Sequence, residues 1–131
     1  MTQANAELVR LNYEEFNRSG EPSLRLYDPG VRWHTRADLP DSGVHLGHEG
    51  VVGLAGQWVG SFEELRLDVE DIIDQGEHIF VPLTVRGRIR GSEEEVAMSE
   101  THVCTVSHDL ITEVREYASL EEALTVIAAA G

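Results

Sequence analysis

Residues 96–117 read VAMSETHVCTVSHDLITEVREY. Val96, Met98, Glu100, His102, Cys104 and Val106 alternate with Ala97, Ser99, Thr101, Val103 and Thr105. Successive side chains of a strand point to opposite faces, so this period of two predicts one long β-strand. Ser107-His108-Asp109 is a tight turn, and Ile111 to Tyr117 returns as the partner strand. One face of the first strand then carries a carboxylate and an imidazole among apolar neighbours. Charged residues that break an apolar pattern in this way are expected at functional sites. Glu100 and His102, two residues apart, point the same way at roughly 7 Å.

Outward from this ribbon the same period continues upstream. Leu65, Leu67, Val69, Asp71 and Ile73 alternate with polar residues, and Ile79, Val81, Leu83 and Val85 alternate with Phe80, Pro82, Thr84 and Arg86. Half-buried antiparallel strands produce this pattern. Ser119 to Ala130 closes the chain as a helix, with Ser119 and Glu122 spaced as a capping box. Further upstream, Ala6 to Asn17 sets Leu8, Val9, Leu11, Tyr13 and Phe16 among charged residues, an amphipathic helix. Pro22 opens a short second helix through Tyr27, and Asp28-Pro29-Gly30 is a turn signal. Val31 to Arg36 reads as a strand, Ala37 to Gly47 as a loop, and Glu49 to Phe62 as a third helix. Gly50, Gly53 and Gly56 each weaken that helix by about 1 kcal/mol relative to Ala, a cost that close packing against a sheet would explain. Helices segregated onto one side of a curved sheet make an α+β layer with a pocket between the layers.

Composition narrows the function. The chain has 131 residues, 41% of them hydrophobic, which suits one domain with one core spanning residues 1–131. The formal net charge is −14, and all ten basic residues are Arg. Nucleic acid and anionic membranes bind through Lys and Arg, so neither is an expected partner. No apolar run approaches the roughly 18 residues that cross a bilayer. The polar start Met1-Thr2-Gln3-Ala4-Asn5 lacks the order of a secretion signal, which gives a cytoplasmic expectation. Cys104 is the single cysteine, so no internal disulfide forms, and a buried structural thiol is the default. Asn17-Arg18-Ser19 fits a glycosylation acceptor, which carries no weight without a secretion signal.

The segment Tyr27-Asp28-Pro29-Gly30-Val31-Arg32-Trp33-His34, the loop to Gly47-His48-Glu49-Gly50-Val51, and Glu113-Val114-Arg115-Glu116-Tyr117 before a Leu-Glu-Glu-Ala helix together resemble SnoaL-like proteins of the nuclear transport factor 2-like superfamily. The resemblance covers nearly the whole chain. It implies an α+β cone, a curved mixed or antiparallel sheet wrapped around helices and enclosing a pocket. The superfamily includes ketosteroid isomerases, polyketide cyclases, limonene epoxide hydrolases, dehydratases and noncatalytic binders, so fold alone does not settle function. The general-base position of the isomerases falls on His34, their oxyanion-binding tyrosine at or near Asn12, and their protonated aspartate on His102. Each position stays polar and none keeps its residue type. The Asp-Arg-Asp pattern of the epoxide hydrolases falls on Val85, Leu83 and Glu116, of which only the last is acidic.

The site expectations follow. His34, His102, Glu100 and Glu116 are the candidate acid/base residues. Arg32, Trp58, Phe80, Leu83, Val85, Met98, Cys104 and Val114 are the candidate pocket lining. Alternation along the first strand puts Arg32 and His34 on one side and Trp33 on the other. By itself it favours Trp33 in the core, whereas the resemblance implies that His34 faces the pocket. The spacing of His45, His48 and Glu49 matches no established metal motif, so no metal is expected there, and no organic cofactor is implied. The expected function is general acid/base chemistry of the isomerase, cyclase or dehydratase type on a small apolar molecule bearing a carbonyl or hydroxyl. The alternative is a noncatalytic binder with the same pocket. The resemblance also implies a homodimer.

Overall fold

The computed structural model describes residues 2–38 and 42–130. Three helices, α1 (Thr2–Ser19), α2 (Gly47–Ser61) and α3 (Leu120–Ala130), accompany seven strands. The strands are β1 (Tyr27–His34), β2 (Val44–Leu46), β3 (Phe62–Val69), β4 (Ile73–Gln75), β5 (His78–Ile89), β6 (Glu95–Ser107) and β7 (Leu110–Tyr117). A 3-10 turn at Leu24–Leu26 stands where a short second helix was expected. The strands form one open mixed sheet in the order β2-β1-β7-β6-β5-β3, with β4 also on β5. Only β1 and β7 run parallel. Among the described residues no helix is long and apolar enough to cross a membrane.

Local chemistry accounts for the departures from the sequence reading. Asp28-Pro29-Gly30 does turn, with Asp28 Oδ2 accepting the Gly30 N–H at 2.7 Å, but the turn is an irregularity inside β1. The loop expected over residues 37–47 contains β2, which pairs with β1 from Arg32 to His34, and residues 39–41 of it lie outside the described residues. The strand expected from Leu65 to Ile73 divides into β3 and β4. Both lie along one side of β5, and Pro82 sits opposite their junction, its carbonyl taking the Glu70 N–H at 2.9 Å. A strand residue points its N–H and C=O to the same side, so the N–H that Pro82 lacks faces a gap where no ladder bond is needed. The turn after β6 has His108 at φ 53 and Asp109 at φ 63. Two consecutive positive φ values define the tight hairpin turn that matches strand twist.

The helices do not all share one side. α1 and α2 cover the inner face, where Val9, Tyr13, Phe16, Val51 and Leu54 pack on Val31, Trp33, Leu67, Val81, Leu83 and Val114. α3 lies on the opposite face, with Ala123, Leu120 and Ile127 against Phe80 and Val103. The same alternation that makes each strand amphipathic gives β5 and β6 two apolar faces here, and the second requires its own cover. α3 is capped as expected in part. Ser119 Oγ accepts the Glu122 N–H at 3.1 Å, while the Glu122 carboxylate accepts the Ala118 N–H at 3.2 Å, one residue upstream of the box geometry.

Asn17 ties α1 to the sheet. Its amide nitrogen donates to the Leu67 carbonyl at 2.9 Å and its amide oxygen accepts the Leu67 N–H at 2.9 Å. β3 is an edge strand, and this side chain satisfies its free backbone groups as a neighbouring strand would. The glycosylation-like motif is thereby explained, since its asparagine serves the edge.

Candidate active site

Under α1, the inner face of the sheet holds a buried polar cluster. Glu100 and His102 extend inward from β6 and Glu116 from β7, paired across the ladder opposite His102. Trp33 comes from β1 and Tyr13 from α1. His102 is fully buried, and Glu100 and Glu116 are 2% and 5% exposed, so the cluster has no solvent to screen it. His102 Nε2 lies 2.8 Å from Glu100 Oε1, and His102 Nδ1 lies 2.7 Å from the Tyr13 hydroxyl. The Trp33 indole N–H donates to Glu116 Oε2 at 2.6 Å. The Trp33 and His102 rings meet edge to face at 5.6 Å. Tyr13 also stands 3.8 Å from Cys104 Sγ. Among the described residues, no buried side-chain nitrogen or oxygen lacks a hydrogen-bond partner.

Burial and charge work against each other here. Burial opposes a charge on His102, but the hydrogen bond and charge of Glu100, with Glu116 nearby, outweigh it and hold the imidazole above its ordinary range. Burial pushes the Glu116 carboxyl up, and the neighbouring Glu100 adds to this; His102 and the Trp33 bond only partly offset them. Burial likewise raises Tyr13 and pushes the Cys104 thiol up to about 12. Tyr13 is therefore a neutral hydroxyl. With His102 protonated, Nδ1–H donates to the Tyr13 oxygen and turns the Tyr13 proton toward another acceptor, Cys104 Sγ at 3.8 Å being one. Cys104 is an inert thiol.

Next to this cluster, between α1, α2, β1 and β3, lies a cavity of about 40 Å³. Five aromatic side chains line it: Tyr13, Phe16, Tyr27, Trp33 and Trp58, both tryptophans of the chain among them. Asn12 and Pro22 complete the α1 side, Leu67 the β3 side, and Val51, Leu54 and Ala55 of α2 close the wall with Trp58. Tyr13 belongs to both the cavity lining and the cluster, and a chain of hydrogen bonds runs from it to His102 and on to Glu100. Asn12 and the buried Tyr27 phenol both border this cavity.

Of the expected acid/base set, His102, Glu100 and Glu116 come together in the buried cluster, while His34 lies outside it, on a separate open cavity that Glu116 also borders. Val31 and Trp33 take the interior positions of β1, so alternation puts Arg32 and His34 on the outer face. There His34 Nε2 and Arg32 Nε lie 2.9 and 3.3 Å from Glu113 Oε2, and Arg115 joins them at 3.3 Å. Burial favours the neutral Glu113 carboxyl, but its bonds from Arg115 and His34 overcome that and lower its pKa. Among the expected lining residues Trp58 faces the cavity. Phe80 is on the other face of the sheet, under α3. Leu83, Val85, Cys104 and Val114 are buried in the core and do not line this cavity. Met98 shares the face of Glu100 but is 36% exposed. β7 ends opposite Thr101, so residues 95–100 of β6 have only β5 beside them.

Tyr13 was not among the expected site residues, although the resemblance implies a tyrosine position at or near its neighbour Asn12. The residue-level reading set it only in an amphipathic stripe, and its own signal was the hydroxyl, which needs a partner when buried. His45 marks another close approach, because a Cβ added at Gly50 would come within 2.7 Å of its backbone carbon. The same test at Gly53 and Gly56 finds nothing within 4 Å, so close packing does not explain those two glycines.

An open mixed sheet, two helices over its inner face and a polar cluster inside define an α+β cone of the nuclear transport factor 2-like type. The chain belongs to the SnoaL-like domain family, whose description matches residues 10–114. Solved structures of the same fold include a protein from Jannaschia sp. CCS1 described as a SnoaL-like polyketide cyclase. It is 20% identical, with 97% of this chain and 93% of that one covered and a TM-score of 0.75. A nuclear transport factor 2-like protein from Burkholderia pseudomallei K96243 is 24% identical over 95% and 97% of the two chains, with a TM-score of 0.75. TerC, crystallised with polyporic acid, is 22% identical over 95% and 98%, with a TM-score of 0.74. No curated protein matches the chain.

Proposed function

We propose that this protein is an acid/base enzyme acting on a small apolar molecule that carries a carbonyl or hydroxyl oxygen. The observation that carries this reading is the Tyr13–His102–Glu100 relay, with its Tyr13 end in an aromatic cavity and its other end fully buried. The Tyr13 hydroxyl donates to the substrate oxygen, and His102 returns a proton to Tyr13. Glu100 keeps the imidazolium charged where no water does so. Glu116, held by the Trp33 indole of the cavity wall and with its carboxyl raised by burial, is the proton acceptor in this reading. Proton abstraction beside a carbonyl, cyclisation and dehydration all use this pair of roles. A family that includes polyketide cyclases and isomerases supports the same class.

The cavity limits how the substrate enters. A water takes up roughly 30 Å³ in the liquid, so about 40 Å³ admits only one or two water-sized groups. A ring-sized molecule must push the wall outward, and α2 is the wall suited to yield. It is built with glycines that packing does not require. Intrinsic tryptophan fluorescence reports the event, because Trp33 and Trp58 both face the cavity. Titration with small cyclic ketones should change the emission of the wild type. Tyr13→Phe should weaken binding at least tenfold and reduce turnover of any substrate found by about 10²- to 10⁴-fold. Equal affinity in wild type and Tyr13→Phe, or no ketone bound at all, would remove the basis of this reading.

A further inference from the structure

Glu100, His102 and Glu116 each offer one ligand atom, and these atoms lie within 4.8 Å of one another inside the protein. We propose that the three side chains form a site for one divalent first-row transition ion, with Zn²⁺ and Co²⁺ as its probes. The inference rests on the reading of this cluster as the working site.

The donor set suits such an ion. One imidazole with two carboxylates is a borderline donor set that favours transition metals over Ca²⁺ or Mg²⁺, which take oxygen alone. Ligand atoms about 2.0–2.2 Å from a tetrahedral ion stand roughly 3.3–3.5 Å apart. His102 Nε2 and Glu100 Oε1, now 2.8 Å apart with a proton between them, need to separate by about half an ångström, while Glu116 moves inward. Three protein ligands leave a fourth position open.

The surrounding shell is already built. Metal-binding histidines have their second ring nitrogen held by a partner, and here Tyr13 holds Nδ1 at 2.7 Å. Trp33 orients Glu116. Charge balances as well, because two carboxylates and one neutral imidazole match an ion of charge +2. As the ion arrives, the Nε2 proton leaves to solvent. Arg36 is the opposing feature. Its Nη1 lies 3.9 Å from Glu100 Oε2, while the rest of the guanidinium is held by Asp38 at 2.7 and 3.0 Å.

Equilibrium dialysis of chelator-stripped protein against Co²⁺ and Zn²⁺, with metal counted by mass spectrometry, tests the site. One equivalent per chain is expected. His102→Gln and Glu116→Gln should each lower affinity more than tenfold. Tyr13→Phe should lower it about 10- to 100-fold through the outer shell. Arg36→Gln should raise affinity by removing a positive charge beside the ion. His48→Ala, at a histidine bonded to the Tyr27 carbonyl, should leave it unchanged. Circular dichroism checks each fold, and Glu116→Gln and Tyr13→Phe suffice if His102→Gln does not fold. Less than a fifth of an equivalent at millimolar ion, or equal binding in wild type and Glu116→Gln, would overturn the proposal. The ketone titration, run with chelator, is an independent readout. Ion binding without ketone binding sinks only the acid/base reading, and the reverse sinks only the metal site.

Discussion

Gly50 and Gly53 lie on the same helix, the α2 wall of the cavity, and neither requires a left-handed backbone. Replacing either by Ala brings the same gain in helix propensity, about 1 kcal/mol. What differs is what the new methyl meets. At Gly53 there is nothing within 4 Å. At Gly50 the methyl comes 2.7 Å from the His45 backbone carbon and 3.2 Å from its Cα. That backbone belongs to β2, whose His45 pairs with Trp33 of β1, so it cannot yield without disturbing the cavity lining. Forcing a methyl into such a contact typically costs about 1–3 kcal/mol. The propensity gain is common to both variants and cancels, so their stabilities should differ by about 1–3 kcal/mol, Gly53→Ala being the more stable. For 131 residues the unfolding entropy is roughly 0.28 kcal/mol/K, so the melting points should differ by about 4–11 °C. Urea unfolding, followed by tryptophan fluorescence with m held constant, measures the gap. A gap under about 0.5 kcal/mol, or Gly50→Ala as the more stable, would show that α2 does not rest on β2 as described.

Three further outcomes follow from the same contacts. Asn17→Ala should destabilise by about 1–3 kcal/mol, because two backbone groups of the β3 edge lose their partner; urea midpoints check this, and a change within error would mean that water replaces the amide without loss. Gly53→Ala combined with Gly56→Ala should stabilise α2 and slow ketone entry in stopped-flow fluorescence, whereas an unchanged entry rate would show that the ligand does not pass by that wall. Glu15 is held down to about 2 by its bonds from Arg25 and Ser23. Its contribution to stability is present above its ordinary value of 4.5 and is lost as the pH falls through about 2. Arg25→Ala should move the Glu15 titration upward in carboxyl NMR and begin acid unfolding at higher pH, and a Glu15 titration that stays near 2 would contradict the assignment.

Strand alternation was legible from the residues and assigned the faces of β1 and β6, although the strand read from Leu65 to Ile73 divides in two. It placed Glu100, His102 and Cys104 on one face of β6, and it favoured Trp33 over His34 for the interior of β1. The family resemblance reversed the second point, because a position carried over from relatives tracks alignment, while burial tracks the local apolar pattern. Phe80 departs for a different reason: its parity opposes that of Ile79 and Val81, and its aromatic ring is what brought it into the expected lining. The α+β class and the pairing of Glu100 with His102 on one face were thus legible in the sequence, since period two is a local property of the chain, whereas Glu116 entered the set through the resemblance.

Other features depended on distances between elements far apart in sequence. Tyr13 and His102 are 89 residues apart, and no local pattern states that the hydroxyl of one meets the ring nitrogen of the other. The division of Gly50, Gly53 and Gly56 into one required by contact and two free of it needed the position of β2. The cavity, about 40 Å³ lined by five aromatic rings, is what remains after α1 and α2 settle on the sheet. Packing fixes such a space through the summed shapes of non-neighbouring side chains, and only the tertiary structure contains that sum.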